Sequence, residues 1–395
     1  MLGNSIVMNE NFKMMAKTLF GFEELLANEL RNLGAKDVKI GVRNVSFSGD
    51  KGFMYKANLA LRTSVRILKP IKSFKVETED VLYKQLQSIP WDQYLNIDGT
   101  FSIDGVTNSE IFTNSYYVAL KSKDAIADYF RDKFGRRPNV DIKHPDLKVN
   151  VHIQNDYCNV SLDSSGDSLH KRGYRSATNI APINEVLAAG LVLMSGYDGT
   201  QHFIDPMCGS GTILIEAAMI ANNIPPNINR REFGFEKWHD FDEELFTTIR
   251  NSLLKKVRES HREIIGYDKA PSAIRKAEDN IKNAHLEDFI KVDQLDFFKT
   301  EKEVEGKTIL LFNPPYGERL EIDVPVFYKE IGDTLKKGYP DTNAWLITSD
   351  FSDGLKNVGL RTSRKIKVFN GKLECRLVKY EMYEGSKKSK FNKEL

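Results

Sequence analysis

A chain of 395 residues exceeds the roughly 100–200 residues of a usual domain, so two or three folded units are expected. Its 41% hydrophobic content fills real cores, and a net charge of +2 neither demands nor excludes a polyanionic partner. Cys158, Cys208 and Cys375 form no C-x-x-C pair, and His152, His170 and His202 lack metal-ligand spacing, so no zinc site and no other metal is expected. Reduced thiols, no apolar run near 18 residues and no cationic leader point to the cytoplasm and away from a membrane, with Met1 to Glu10 read as a disordered leader.

Taken in chain order, Phe20 to Leu33 has apolar residues at helical spacing and stops before Gly34. Val38 to Phe47 alternates as a hairpin, Phe53 to Leu61 is helical, and Ser64 to Pro70 is strand-like. Together they predict a small ferredoxin-like α+β unit over residues 1–70. A second small α+β unit follows over 71–163. It has a helix near Val81–Ser88, a strand Thr100–Val106, a helix Asn114–Arg131, and a hairpin of Leu147–Ile153 with Tyr157–Leu162. The charged stretch Lys133–His144 is read first as a solvated loop.

Residues 164–181 are glycine- and serine-rich with a cationic centre and read as a joint. Lys171, Arg172, Tyr174 and Arg175 put charge and a stacking ring in one short segment, suited to single-stranded or splayed RNA, unless Tyr174 packs inward and the arginines pair with acids. A helix with proline at its start spans Pro182–Met194. The stretch between Ala221 and Ser260 carries Phe233, Phe235, Trp238 and Phe241. It is read as a wall of a pocket or a local aromatic core.

Phe203 to Ala218 reads as a strand, a tight turn and a helix. Gly209 and Gly211 allow close backbone approach to a ligand, and Thr212 is expected to cap the helix. The turn has neither the G-x-G-x-x-G pattern nor the Lys-Ser/Thr ending of a phosphate loop. Asp205 ends the first strand and suits a ligand's ammonium; Asp268 ends the second and suits ribose hydroxyls. Asp293 and Asp296 compete for an adenine amine after the third, with Asp296 preferred because Phe297 would cover the ring.

The run Asn313-Pro314-Pro315-Tyr316 follows the apolar strand Thr308–Phe312, at the position where open α/β sheets bind ligands. The Asn313 side-chain oxygen and the Pro314 carbonyl are two acceptors beside an aromatic plate, suited to holding a planar molecule by its exocyclic amine. The chemistry is methylation of an NH2 group. Glycine turn, two acids and Asn-Pro-Pro-Tyr stand in the order of a class I S-adenosyl-L-methionine-dependent methyltransferase. A terminal pair of strands, Arg364–Phe369 and Cys375–Tyr380 about Asn370-Gly371, fits its antiparallel seventh strand. From Arg361 onward cations outnumber acids heavily, a plausible phosphate contact that ends in a basic tail over 386–395.

Asp205-Pro-Met-Cys-Gly-Ser-Gly-Thr, Asn313-Pro-Pro-Tyr-Gly-Glu-Arg and Leu169-His-Lys-Arg-Gly-Tyr-Arg resemble the THUMP-domain RNA guanine-N2 methyltransferases. The likeness runs from about Lys17 to about Glu384 and is nearest to the guanine-N2 half of the bifunctional bacterial 23S rRNA enzymes, whose second unit this chain is too short to hold. The resemblance implies a THUMP domain over 71–163 and a methyltransferase domain over 182–385. It implies catalysis by Asn313, Pro314, Pro315 and Tyr316, and a cofactor site of Asp205, Pro206, Cys208, Gly209, Gly211, Thr212, Asp268, Asp296 and Asn313. Cys208 serves there as a small turn residue and not as a nucleophile. His170, Lys171, Arg172, Tyr174, Arg175 and Arg319 are the expected RNA contacts. The expected substrate is 23S rRNA or a pre-ribosomal particle. Transfer RNA, adenine-N6 methylation and a non-catalytic assembly role stay open, since Asn-Pro-Pro-Tyr serves several amine-methylating classes.

Overall fold

The computed structural model describes residues 10–175, 183–315, 323–349 and 354–383. Tyr316, Glu318, Arg319, Pro182 and the basic tail 386–395 lie outside the described residues. The chain divides into two compact units. The first holds residues up to 18, 26–169 and 230–252; the second holds 19–25, 170–229 and the part from 253 onward.

The first unit contains β1 (Phe12–Thr18), α1 (Glu23–Leu33, whose first turn counts with the second unit), β2 (Lys36–Gly41), β3 (Asn44–Gly49), α2 (Lys51–Ala60) and β4 (Ser64–Lys75). It continues with α3 (Glu79–Gln87), β5 (Thr100–Asn108), α4 (Ser115–Phe134), β6 (Asn139–Val140), β7 (Leu147–Gln154) and β8 (Tyr157–Asp163). The helices start where polar side chains take orphan amides: Asp50 accepts from Phe53 N, Thr78 from Val81 N, and Asn114 from Tyr116 and Tyr117 N. The strand expected to end at Pro70 runs on to Lys75. Its ladder with β8 shifts register between Pro70 and Lys72, so the missing proline N–H falls at an irregularity and costs no regular bond. The expected division at residue 70 therefore lies inside a strand. The two small α+β modules share one eight-stranded sheet of order β2-β3-β1-β4-β8-β7-β5-β6.

The aromatic insertion packs as a core of the first compact unit. Tyr55 stacks on Phe235 with ring centres 4.5 Å apart, Phe233 stacks on Phe235 at 5.2 Å, and Phe241 and Phe246 pack edge-on or tilted around them.

The second unit holds α5 (Glu185–Met194), β9 (His202–Asp205) and α6 (Thr212–Ala221). After α7 (Glu243–Leu254), most of which counts with the first unit, come β10 (Ile264–Tyr267), α8 (Pro271–Asn283), β11 (Lys291–Asp293), β12 (Thr308–Phe312), α9 (Val324–Gly338), β13 (Thr342–Thr348), β14 (Thr362–Asn370) and β15 (Leu373–Glu381). The cap of α5 is Asn184, which accepts from Val186 and Leu187 N. The sheet order is β11-β10-β9-β12-β13-β15-β14, with β9 to β13 all parallel and β15 antiparallel to both neighbours. One sheet face packs Leu187, Leu191, Leu214, Ile215 and Ile281 from α5, α6 and α8; the other packs Tyr328, Ile331 and Leu335 from α9. Helices on both faces bury β9, β10 and β12 completely, while the edge strand β11 is partly exposed.

Candidate active site

The sheet order reverses at β9. Its neighbour β10 is reached through α6 on one side, and β12 pairs on the other. Such a switch point opens a crevice at the carboxyl ends of the strands. Asp205 ends β9, Asp268 follows β10, Asp293 ends β11 and Asn313 follows β12, so four of the expected residues share this one edge.

The glycine turn after β9 is held by its surroundings. Cys208 N donates to the Tyr267 carbonyl at 2.8 Å, Gly211 N to the Cys208 carbonyl at 2.9 Å, and Asn280 of α8 donates to the Ser210 carbonyl at 2.9 Å. Gly209 and Gly211 have φ of 56° and 78°, the left-handed region that favours glycine. Gly211, not Thr212, occupies the cap position of α6, so no side chain closes the start of that helix. Thr212 is the first helical residue, and its hydroxyl instead accepts from Arg175 Nη2 at 3.1 Å. The open amides at the helix start suit a polar ligand.

Asp205 is 1% exposed and accepts from Met207 N at 3.2 Å. Burial pushes its carboxyl well above the usual carboxylate range; the Met207 amide pulls against that, and the Asp268 charge adds to it. A buried acid of this kind favours a cationic partner. Asp268 accepts from Gly209 N at 3.0 Å and from Ala270 N at 2.9 Å. Burial likewise raises the Cys208 thiol, which stays protonated and serves as packing under the turn. Asp293 is exposed, while Asp296 is half-buried and accepts from Phe298 N at 3.2 Å. Phe297 is 2% exposed and packs against Phe312 and Tyr339 with ring centres 5.5 and 5.7 Å away.

Asn313 Oδ1 is buried and has no hydrogen-bond partner among the described residues. A buried orphan acceptor costs about 1–3 kcal/mol, a cost that a donor from a ligand would remove.

The cationic linker is corrected most. Arg172 and Tyr174 are each 1% exposed and face inward, not toward an RNA. Arg172 Nε lies 3.4 Å from Glu216 Oε1, Arg172 Nη1 donates to Asn227 Oδ1 at 3.2 Å, and the Tyr174 hydroxyl donates to Glu216 Oε1 at 3.3 Å. Arg175 pairs with Glu185 at 2.9 Å and also donates to the Ile183 carbonyl at 3.1 Å. Of the expected RNA contacts in this segment, Lys171 is exposed and His170 half-buried. Sequence reasoning missed Glu216, Asn227 and Asn280. A lone acid inside the apolar run Ile213-Leu-Ile-Glu-Ala-Ala218 was the available signal for a buried partner. Among the described residues no group of three or more His, Cys, Asp or Glu could hold a metal, and no helix is long and apolar enough to cross a membrane.

A seven-stranded sheet of this order, with a glycine turn and strand-end acids at its switch point, defines a class I methyltransferase. Comparison with known proteins gives the family. The methyltransferase domain described as RMKL-like matches residues 172–379, a THUMP domain matches 76–163, and the RlmL ferredoxin-like domain matches 13–68. The chain belongs to the RMKL-like methyltransferase family. It is 37% identical over 370 residues to a Synechocystis sp. protein provisionally named RNA methyltransferase slr0064, covering 92% of this chain and 95% of that one. It is 35% identical over 389 residues to the ribosomal RNA large subunit methyltransferase K/L of Syntrophotalea carbinolica, covering 95% of this chain and 54% of that protein. The chain thus spans about half the length of this K/L relative. The solved structure of SMU.472, provisionally a methyltransferase and complexed with SAH, superposes with a TM-score of 0.84 at 31% identity, over 96% of this chain and 100% of that one.

Proposed function

We propose that this protein methylates the N2 amine of a guanine in 23S rRNA, using S-adenosyl-L-methionine. The observation that carries the reading is the orphaned Asn313 Oδ1 at the strand-end edge, beside the acids and the glycine turn. The SAH held by SMU.472, which is the demethylated donor, and the ribosomal RNA named for the K/L relative supply the donor and the substrate class.

S-adenosyl-L-methionine supplies a methyl group on a sulfonium, already a good leaving group. Asp205 takes its ammonium, Asp268 its ribose hydroxyls through the lone pairs not used by Gly209 and Ala270, and Asp293 or Asp296 its adenine amine. Pro206, Cys208 and Thr212 shape the turn beneath it. Asn313 Oδ1 and the Pro314 carbonyl accept the two hydrogens of the guanine amine and turn its lone pair toward the methyl group; Pro315 stiffens the run, and Tyr316 stacks on the base. The nitrogen–carbon bond forms as the sulfur–carbon bond breaks, and the proton then leaves to water. Holding the reacting atoms about 3–3.5 Å apart supplies several kcal/mol, so no strong base is needed. A guanine already unstacked is favoured, because extrusion costs a few kcal/mol.

The test is transfer from labelled donor to unmodified 23S RNA, 16S RNA and transfer RNA, with nucleosides identified after digestion. N2-methylguanosine in 23S RNA is the expected product. The same nucleoside in transfer RNA alone replaces the substrate, and N6-methyladenosine overturns the base assignment.

A further inference from the structure

The β14–β15 hairpin is the most cationic part of the second unit among the described residues, and the cofactor and base contacts do not use it. Residues 361–381 carry seven cations and two acids, a net charge of +5, whereas the whole chain nets +2. The remainder is therefore net negative. Both acids are already engaged: Glu374 with Lys367 at 2.6 Å and Glu381 with Lys379 at 2.8 Å.

The ladder sets like charges directly opposite one another. Lys367 faces Arg376, and Arg364 faces Lys379. Glu374 and Glu381 neutralise only one member of each pair, so the face keeps a net positive charge. Lysines on an exposed edge strand guard against edge-to-edge pairing, but that account covers β14 alone. Arg376 and Lys379 stand on β15, which is hydrogen-bonded on both sides.

Strand register fixes where the charge lies. Phe312 aligns with Leu346, so Pro314, two residues on, falls level with Thr348; Thr348 aligns with Arg376, and Arg376 with Lys367. Extended two residues past the last β12 pair, Phe312, one row across the sheet runs from the Asn-Pro-Pro segment to two cations. At about 4.8 Å per strand they stand roughly 10 and 14 Å from it. Beyond that row the hairpin continues for three residues on each strand, roughly 10 Å past the strand-end edge, to a turn carrying Lys372 and the exposed Leu373. Phe20 packs edge-on against Phe369 with ring centres 5.6 Å apart and braces the arm.

We propose that the β14–β15 hairpin is an RNA-gripping arm of the catalytic unit, holding backbone phosphates beside the strand end that carries Asn313. This rests on the RNA substrate proposed above and names a contact surface for it. The phosphates bound here lie next to the extruded base and fix its approach to the site.

The test compares the triple variant Lys365→Gln, Lys367→Gln, Lys372→Gln with a charge-matched control elsewhere on the second unit, Lys255→Gln, Lys282→Gln, Lys291→Gln. All six lysines are exposed. Binding of a fluorescein-labelled RNA stem-loop with an unpaired guanine is followed across a salt series, with donor affinity by calorimetry and the melting temperature as controls. Each lost phosphate contact lowers the slope of log K on log salt by about 0.7–0.9, so the hairpin variant should lose about 2 from the slope and at least about tenfold in RNA affinity. Donor affinity and melting temperature stay unchanged, and the control moves much less. Equal slopes and affinities for the two triple variants overturn the proposal. Because the readout is binding, a wild-type protein that grips RNA in this way yet makes no N2-methylguanosine refutes the proposed reaction and leaves the arm standing.

Discussion

The backbone amide of Gly209 donates to Asp268 Oδ2 at 3.0 Å, so the carboxylate that ends one strand also fixes the turn that follows its neighbour. Its other oxygen accepts from Ala270 N at 2.9 Å, which leaves part of its acceptor capacity for a ligand. Replacing Asp268 with alanine therefore removes a ribose contact and loosens the turn together. A hydrogen bond to a charged group contributes about 1.5–3 kcal/mol, so donor affinity measured by calorimetry should fall roughly 10–150-fold. An affinity within threefold of wild type would detach Asp268 from the cofactor site.

Asp205 gives a pH signature. Its folded carboxyl is raised above the unfolded value near 3.9, so between the two values the native state holds the extra proton. Stability then falls as the pH rises through that window. Asp205→Asn removes the dependence. The donor-free variant should melt above wild type at pH 7, with the gap closing toward pH 4, and should bind the donor at least about tenfold more weakly. A gap that stays constant between pH 4 and pH 8 counts against the buried acid.

The interior placement of Arg172 predicts a stability defect and not an RNA-binding one. Arg172→Ala leaves Glu216 buried without its cation, which costs about 3–5 kcal/mol in denaturant unfolding. Arg172→Met with Glu216→Leu keeps the volume, removes both charges and should recover most of that loss. RNA affinity of the folded double variant should match wild type. A selective loss of RNA binding at unchanged stability would return Arg172 to the RNA surface.

The parts of the site legible in the sequence are those written locally. The strand, turn and helix from Phe203 to Ala218 need only apolar periodicity and two glycines, and Asn313 follows its strand directly. The Asn370-Gly371 turn announced the terminal hairpin in the same way. What escaped depends on partners distant along the chain. Whether Tyr174 reaches solvent or Glu216 is set by packing 42 residues away. Pro70 reads as a strand end, and only the register shift against β8 lets β4 continue into the next module. The aromatics at 233–241 could have lined a pocket, but Tyr55, far upstream, supplies the surface they bury. Phe297 was assigned to a ligand on adjacency alone, which says nothing of its packing against Phe312 and Tyr339.

The central claim is that Asn313 Oδ1 accepts a hydrogen of the guanine N2 amine, and one measurement addresses it most directly. Single-turnover formation of N2-methylguanosine in unmodified 23S RNA is compared between wild type and Asn313→Ala, with donor and RNA both saturating. Losing an oriented acceptor that acts on the reacting amine should lower the rate about 10²–10³-fold while the melting temperature is unchanged or higher, since a buried orphan acceptor has been removed. A rate within threefold of wild type would contradict the account.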